Sequence, residues 1–172
     1  KTDVSVDLTW NWNDLLLRDS YVYKVNLAKM GLALSAAIEG TNFKEETNNI
    51  LIGTDKENRL MLNEVAYDED ITPAMAVGIK QIKNGGETKN VIFVVLRGTT
   101  NIMDVGNDLF SSYGATQWGV NIVNYRLHSY LERWSDKYDI NKNNTKFFVT
   151  GHSLGGACAN LLSAELSKEC GE

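Results

Sequence analysis

Five consecutive residues, Gly151-His152-Ser153-Leu154-Gly155, have the types and spacing for nucleophilic chemistry. They match the pattern G-x-S-x-G and interrupt a hydrophobic run, "KFFVT", that resumes at helical spacing as "LGGACANLLSAEL". A serine at the apex of so tight a strand-to-helix turn takes a strained backbone conformation, and a Cβ two residues to either side would crowd the neighbouring strand or helix. Gly151 and Gly155 avoid that crowding. The turn pushes the Ser153 hydroxyl out of the sheet edge and aims a helix N-terminus at it. Backbone N–H groups there, chiefly that of Leu154, can then hydrogen-bond the oxyanion that forms when the hydroxyl attacks a carbonyl. The plainer alternative is that the glycines permit close helix packing and Ser153 caps the helix.

A serine hydroxyl is a weak nucleophile until a histidine takes its proton and a carboxylate orients that histidine. The chain has two histidines. His152 adjoins the serine, and neighbouring side chains on a sharp turn point in different directions. His128 lies upstream in a helical stretch, where a partly buried helix residue is the plain reading. Downstream of Ser153 there is neither Asp nor His, only Glu165, Glu169 and Glu172. On a continuous helix Glu165 falls ~18 Å beyond the serine, too far to orient an imidazole beside it.

The elements that must hold this turn can be read from periodicity. "VYKVNLAKMGLALSAAIEG" sets Val25, Ala28, Met30, Leu32, Leu34 and Ile38 on helical faces, with Gly40 as a stop. "AMAVGIKQI" alternates apolar and polar residues, and Asn84-Gly85-Gly86 turns the chain toward "VIFVVLRG", which predicts an antiparallel hairpin. The run Val91 to Leu96 contains no polar residue, as expected of a central strand covered on both faces. "TTNIMDVGNDLFSSYGATQWG" has no sustained period and reads as a long surface loop. "NIVNYRLHSYLERWSDKY" then places Ile122, Tyr125, Leu131 and Trp134 in one helical stripe. "TKFFVT" reads as a short buried strand before the final helix. From Val91 onward the order is strand, loop, helix, strand, turn, helix, the grammar of a sheet flanked by helices.

Composition limits the function classes. A chain of 172 residues, 43% of them hydrophobic, is long enough for one domain with a core, and nothing divides residues 1–172 into two. The net charge is −5 and no Lys/Arg stripe is present, so nucleic acid is set aside as a partner. No apolar run approaches the ~20 residues a membrane-spanning helix needs. Lys1 in place of Met implies a removed leader or a longer parent, which favours an extracellular compartment over the cytoplasmic alternative. Cys158 and Cys170 fall on one helix, ~18 Å apart, beyond the ~4.4–6.8 Å between α-carbons that a disulfide tolerates. Cys158 therefore reads as a small core residue and Cys170 as a tail thiol, and neither has the neighbours of a metal site.

"VTGHSLGGACANLL" and "VIFVVLRGTTNIMDVGNDL", with "LAKMGLALSAAIEG" more loosely, resemble the class 3 lipase family of the α/β-hydrolase fold. The resemblance implies a mixed, mainly parallel sheet flanked by helices and incomplete at the C-terminus. It also implies a serine hydrolase acting on lipid-type esters, with Ser153 as nucleophile and Leu154 and Thr99 supplying the oxyanion hole. Asp108 would brace the loop after Thr99, Thr100 to Asn107 would form the lid over an acyl-chain cleft, and His152 would occupy the motif without acting as base. A small-molecule or lipid ester is implied as substrate, with at most transient contact with a lipid interface and no metal or organic cofactor. The chain departs from the family in reading "QWGVNIVNYRLHSYL" where a His-x-Gly-Phe stretch is usual, and in having only Met103 and Val105 as apolar side chains between Ile102 and Leu109, where a bulky aromatic is common. The small lid favours soluble or short-chain esters. In this fold the partners follow in the order Ser, Asp or Glu, His, so the triad acid and base are expected beyond residue 172 and the chain alone is expected to turn over little. The alternatives are a non-catalytic relative that binds lipid or protein through the cleft, and another acyl hydrolase such as a phospholipase or thioesterase.

Overall fold

The computed structural model describes residues 10–17, 22–53, 60–84, 86–98 and 112–170. Among these, five helices and four strands are formed: α1 (Trp12–Leu16), α2 (Val25–Glu39), α3 (Phe43–Leu51), β1 (Glu64–Asp68), β2 (Met75–Asn84), β3 (Glu87–Leu96), α4 (Ser112–Tyr138), β4 (Thr145–Gly151) and α5 (Leu154–Cys170). The strands make one sheet in the order β1-β2-β3-β4.

The expected hairpin is present. β2 and β3 pair antiparallel from Met75 opposite Leu96 to Asn84 opposite Glu87. β1, which the alternation of "NEVAYD" alone did not single out, pairs antiparallel with β2. Only β3 and β4 are parallel, through the α4 crossover. The described sheet is therefore mostly antiparallel, which corrects the expectation of a mainly parallel one. Short connections reverse the chain at β1–β2–β3, whereas a parallel pair needs a helix-length crossover, and the described chain supplies one.

β3 runs through the middle of this sheet, and Val91 to Leu96 are all fully buried. Its side chains alternate between two cores. Val91, Phe93 and Val95 face Met30, Leu34 and Ile38 of α2, with the Trp10 ring tilted and the Trp12 ring edge-on against Phe93 on the same side. Ile92, Val94 and Leu96 face α4 and α5. Both faces are covered, and so the sequence has no polar residue to alternate with.

Four helix and strand expectations need correction. Residues 112–119, read as loop, form the first turns of α4. The buried stripe of α4 is Val120, Val123, Leu127, Tyr130, Trp134 and Tyr138, while Tyr125 is 74% exposed on the opposite side. Gly114 and the polar residues around it mask the helical period at this end, because they leave too few apolar positions to set its phase. β4 is half-buried along its length rather than buried, since it lies at an edge of the described sheet. On α2, likewise, Val25 and Leu32 lie outside the packed face, at 53% and 64% exposure.

Candidate active site

β4 ends at Gly151 and α5 begins at Leu154, so the chain turns over His152 and Ser153 at the end of the sheet. Ser153 has φ +51°, one of three non-glycine residues with positive φ among the described residues. For an L-residue that conformation costs roughly 1–2 kcal/mol. It is imposed by close backbone contact between the end of β3, the end of β4 and the first turn of α5. A Cβ on Gly151 would lie 2.5 Å from the Gly155 carbonyl oxygen and 2.9 Å from that of Leu96. One on Gly155 would lie 2.4 Å from the Leu96 oxygen and 2.7 Å from that of Arg97. Every atom met is backbone, which cannot rotate away, so only glycine fits either position.

The turn is tied to β3 by the His152 N–H, which donates to the Leu96 carbonyl at 3.3 Å. The first helical hydrogen bond of α5 runs from the Ala157 N–H to the Ser153 carbonyl at 3.1 Å. The N–H groups of Leu154, Gly155 and Gly156 thus have no acceptor within the helix. They converge with the helix dipole beside an exposed Ser153. Such an arrangement can receive an anion, including the oxyanion of a tetrahedral intermediate.

Gly98, buried just beyond β3, lies against the same turn: a Cβ there would sit 3.1 Å from both the Ser153 Cβ and the His152 carbonyl oxygen. Thr99 and Asp108, and the expected lid from Thr100 to Asn107, lie outside the described residues. The structure therefore brings together Gly151, His152, Ser153, Leu154 and Gly155 with the end of β3.

Each histidine faces a glutamate. His152 Nδ1 is 3.7 Å from Glu39 Oε1, and His128 Nε2 is 3.7 Å from Glu169 Oε2 on the surface between α4 and α5. Glu169 is about 22 Å along α5 from Leu154, which puts His128 out of reach of the elbow. Glu39 was not singled out from sequence. A signal existed, for it is a carboxylate at a helix C-terminus, where the dipole favours cations, and α2 has no basic residue in its last turn.

Beside the elbow, along the edge of β4, a groove of about 380 Å³ is lined by residues including Thr150, Gly151, Gly156 and Asn160. Cys158 packs fully buried in the core between α4 and α5, forms no disulfide, and has its thiol pushed up to about 11 by burial. Among the described residues no cluster of three or more His, Cys, Asp or Glu could hold a metal ion, and no helix is long and apolar enough to cross a membrane.

Residues 93–170, from within β3 to the end of α5, match the family described as lipase (class 3). The chain thus carries a partial class 3 lipase-like region, and the family points to an ester hydrolase in general. No curated protein and no solved structure is found to match the chain.

Proposed function

We propose that this chain carries the nucleophile of a serine ester hydrolase of class 3 lipase type, built on an α/β-hydrolase scaffold. The observation that carries the reading is the strained strand-to-helix turn with Ser153 at positive φ, inside the stretch that matches the lipase family. Ser153 Oγ attacks the ester carbonyl as its proton passes to a general base, and the carbonyl π-electrons move onto oxygen. The Leu154 N–H and that of Thr99 receive the resulting oxyanion, and Asp108 braces the loop that carries Thr99. Collapse of the intermediate expels the alcohol, which takes up the proton, and water then releases the acid from Ser153. His152, engaged by Glu39, and remote His128 leave the base to another group.

A small-molecule or lipid ester is the substrate class this reading assigns. The test is a fluorophosphonate that phosphonylates activated serines, together with hydrolysis of p-nitrophenyl butyrate, on the full natural chain and its Ser153→Ala variant. The expected result is labelling confined to Ser153 and a loss of hydrolysis of several orders of magnitude in the variant. Unchanged hydrolysis by Ser153→Ala removes the nucleophile assignment.

A further inference from the structure

The structure points to a use for Glu39: we propose that it is a positioning residue for Ser153, an inference that rests on the ester-hydrolase reading above. Glu39 is the last residue of α2, and its Oε1 accepts a hydrogen bond from the Gly98 N–H. The same oxygen faces His152 Nδ1 at 3.7 Å. Gly98 follows β3 and His152 precedes the nucleophile, so one carboxylate joins the two segments that flank Ser153. The packing there is tight. A Cβ on Gly98 would meet Glu39 Oε1 at 3.0 Å and the Ser153 Cβ at 3.1 Å.

Glu39 is itself held in place. The Ser35 and Thr150 hydroxyls lie 2.8 Å apart, and the Thr150 hydroxyl donates to the Gly31 carbonyl at 3.1 Å, which fixes α2 along β4. A negative charge at the C-terminus of α2 opposes the helix dipole, and the helix gains nothing from it locally. The groups its carboxylate meets are the Gly98 N–H and the His152 ring, both belonging to the elbow rather than to α2. A carboxylate that accepts a backbone N–H forms a charge-assisted bond, stronger than a neutral one. It holds the end of β3 and the approach to Ser153 in one geometry, so that hydroxyl and N–H donors need not reorganise as charge develops.

The experiment compares Glu39→Ala and Glu39→Gln in the full natural chain. Gln is near in shape and keeps an acceptor for Gly98, whereas Ala keeps neither contact. Hydrolysis of p-nitrophenyl butyrate is expected to lose about tenfold to a hundredfold in kcat in Glu39→Ala, with KM little changed and most of kcat restored in Glu39→Gln. In ¹H–¹⁵N spectra the Gly98 amide should move upfield in Glu39→Ala. A kcat for Glu39→Ala within twofold of the parent, or an unmoved Gly98 amide, overturns the positioning role and leaves the nucleophile assignment standing. A natural chain with no reactivity at Ser153 overturns the hydrolase reading and, with it, the catalytic use of this contact. Equal kcat losses in both variants, accompanied by equal losses in melting temperature, also overturn positioning, since they would report stability alone.

Discussion

Replacing Gly155 by alanine adds one methyl group, and the structure says where it goes. The new Cβ would lie 2.4 Å from the Leu96 carbonyl oxygen, 2.7 Å from the Leu96 carbonyl carbon and 2.7 Å from the Arg97 oxygen. Those atoms belong to the central strand and the residue after it, which are fixed by pairing on both sides of β3. Relief therefore requires α5 to lift from the sheet, drawing its own fully buried side chains Cys158 and Leu162 out of the core. Overpacking of a closed site costs typically 1–3 kcal/mol and sometimes more, and rigid backbone on every side puts this case at about 3 kcal/mol or above. For a domain of this size each kcal/mol shifts the melting temperature by roughly 2–4 °C, so Gly155→Ala should melt about 6–12 °C lower. Gly114→Ala is the matched control. Gly114 is exposed in the first turn of α4, and an added Cβ meets nothing within 4 Å. Helix propensity then favours alanine by about 0.5–1 kcal/mol, and this variant should melt slightly higher than the parent. The assay is thermal unfolding followed by circular dichroism. A Gly155→Ala variant melting within a degree or two of the parent would refute the backbone contact on which the elbow's geometry depends.

The positive φ of Ser153 should appear in stability as well as chemistry. Ser153→Gly relieves roughly 1–2 kcal/mol of left-handed strain while making the unfolded chain more flexible by about 0.4–1 kcal/mol. It should therefore be more stable than Ser153→Ala by about 0.5–1 kcal/mol in urea unfolding, and an equal or lower value would deny the strain. Glu64 gives a pH signature. Its carboxylate accepts from Lys137, from the Tyr138 hydroxyl at 2.7 Å and from the Trp134 indole at 2.9 Å, and the Lys137 bond leads the causes that hold its pKa below the ordinary 4.5. A lowered folded pKa means stability that is present above 4.5 and lost as pH falls through the folded value. Glu64→Gln should consequently differ most from the parent near neutrality, and the difference should shrink in melts below pH 4.5. A gap that widens toward acid would reverse that sign.

Glycine spacing around Ser153 and the unbroken Val91 to Leu96 run were sufficient, from sequence, for the strand-to-helix turn and for a strand buried on both faces. These features are local: a residue type excludes one backbone conformation or one exposed face, and no distant partner is needed to read it. The reversal of the chain between β2 and β3 was legible for the same reason. The start of α4 was not legible, since polar and glycine-rich residues carry no helical phase, and helix there follows from the apolar stripe farther along docking on the sheet. The antiparallel hairpin and the parallel return through a helix were legible too, whereas the mainly parallel sheet implied by the family resemblance gave way because β1, which the sequence did not single out, adds a second antiparallel pair. Glu39 carried a signal in its place at a helix C-terminus, but its partners, Gly98 and His152, lay out of reach because they are far along the chain and meet it only when α2 packs across β3 and β4. Residue types along the chain therefore determined the local turn that presents Ser153. Only the tertiary structure decided which remote carboxylate stands beside it, because a hydrogen bond depends on separation in space, to which spacing in sequence gives no direct measure.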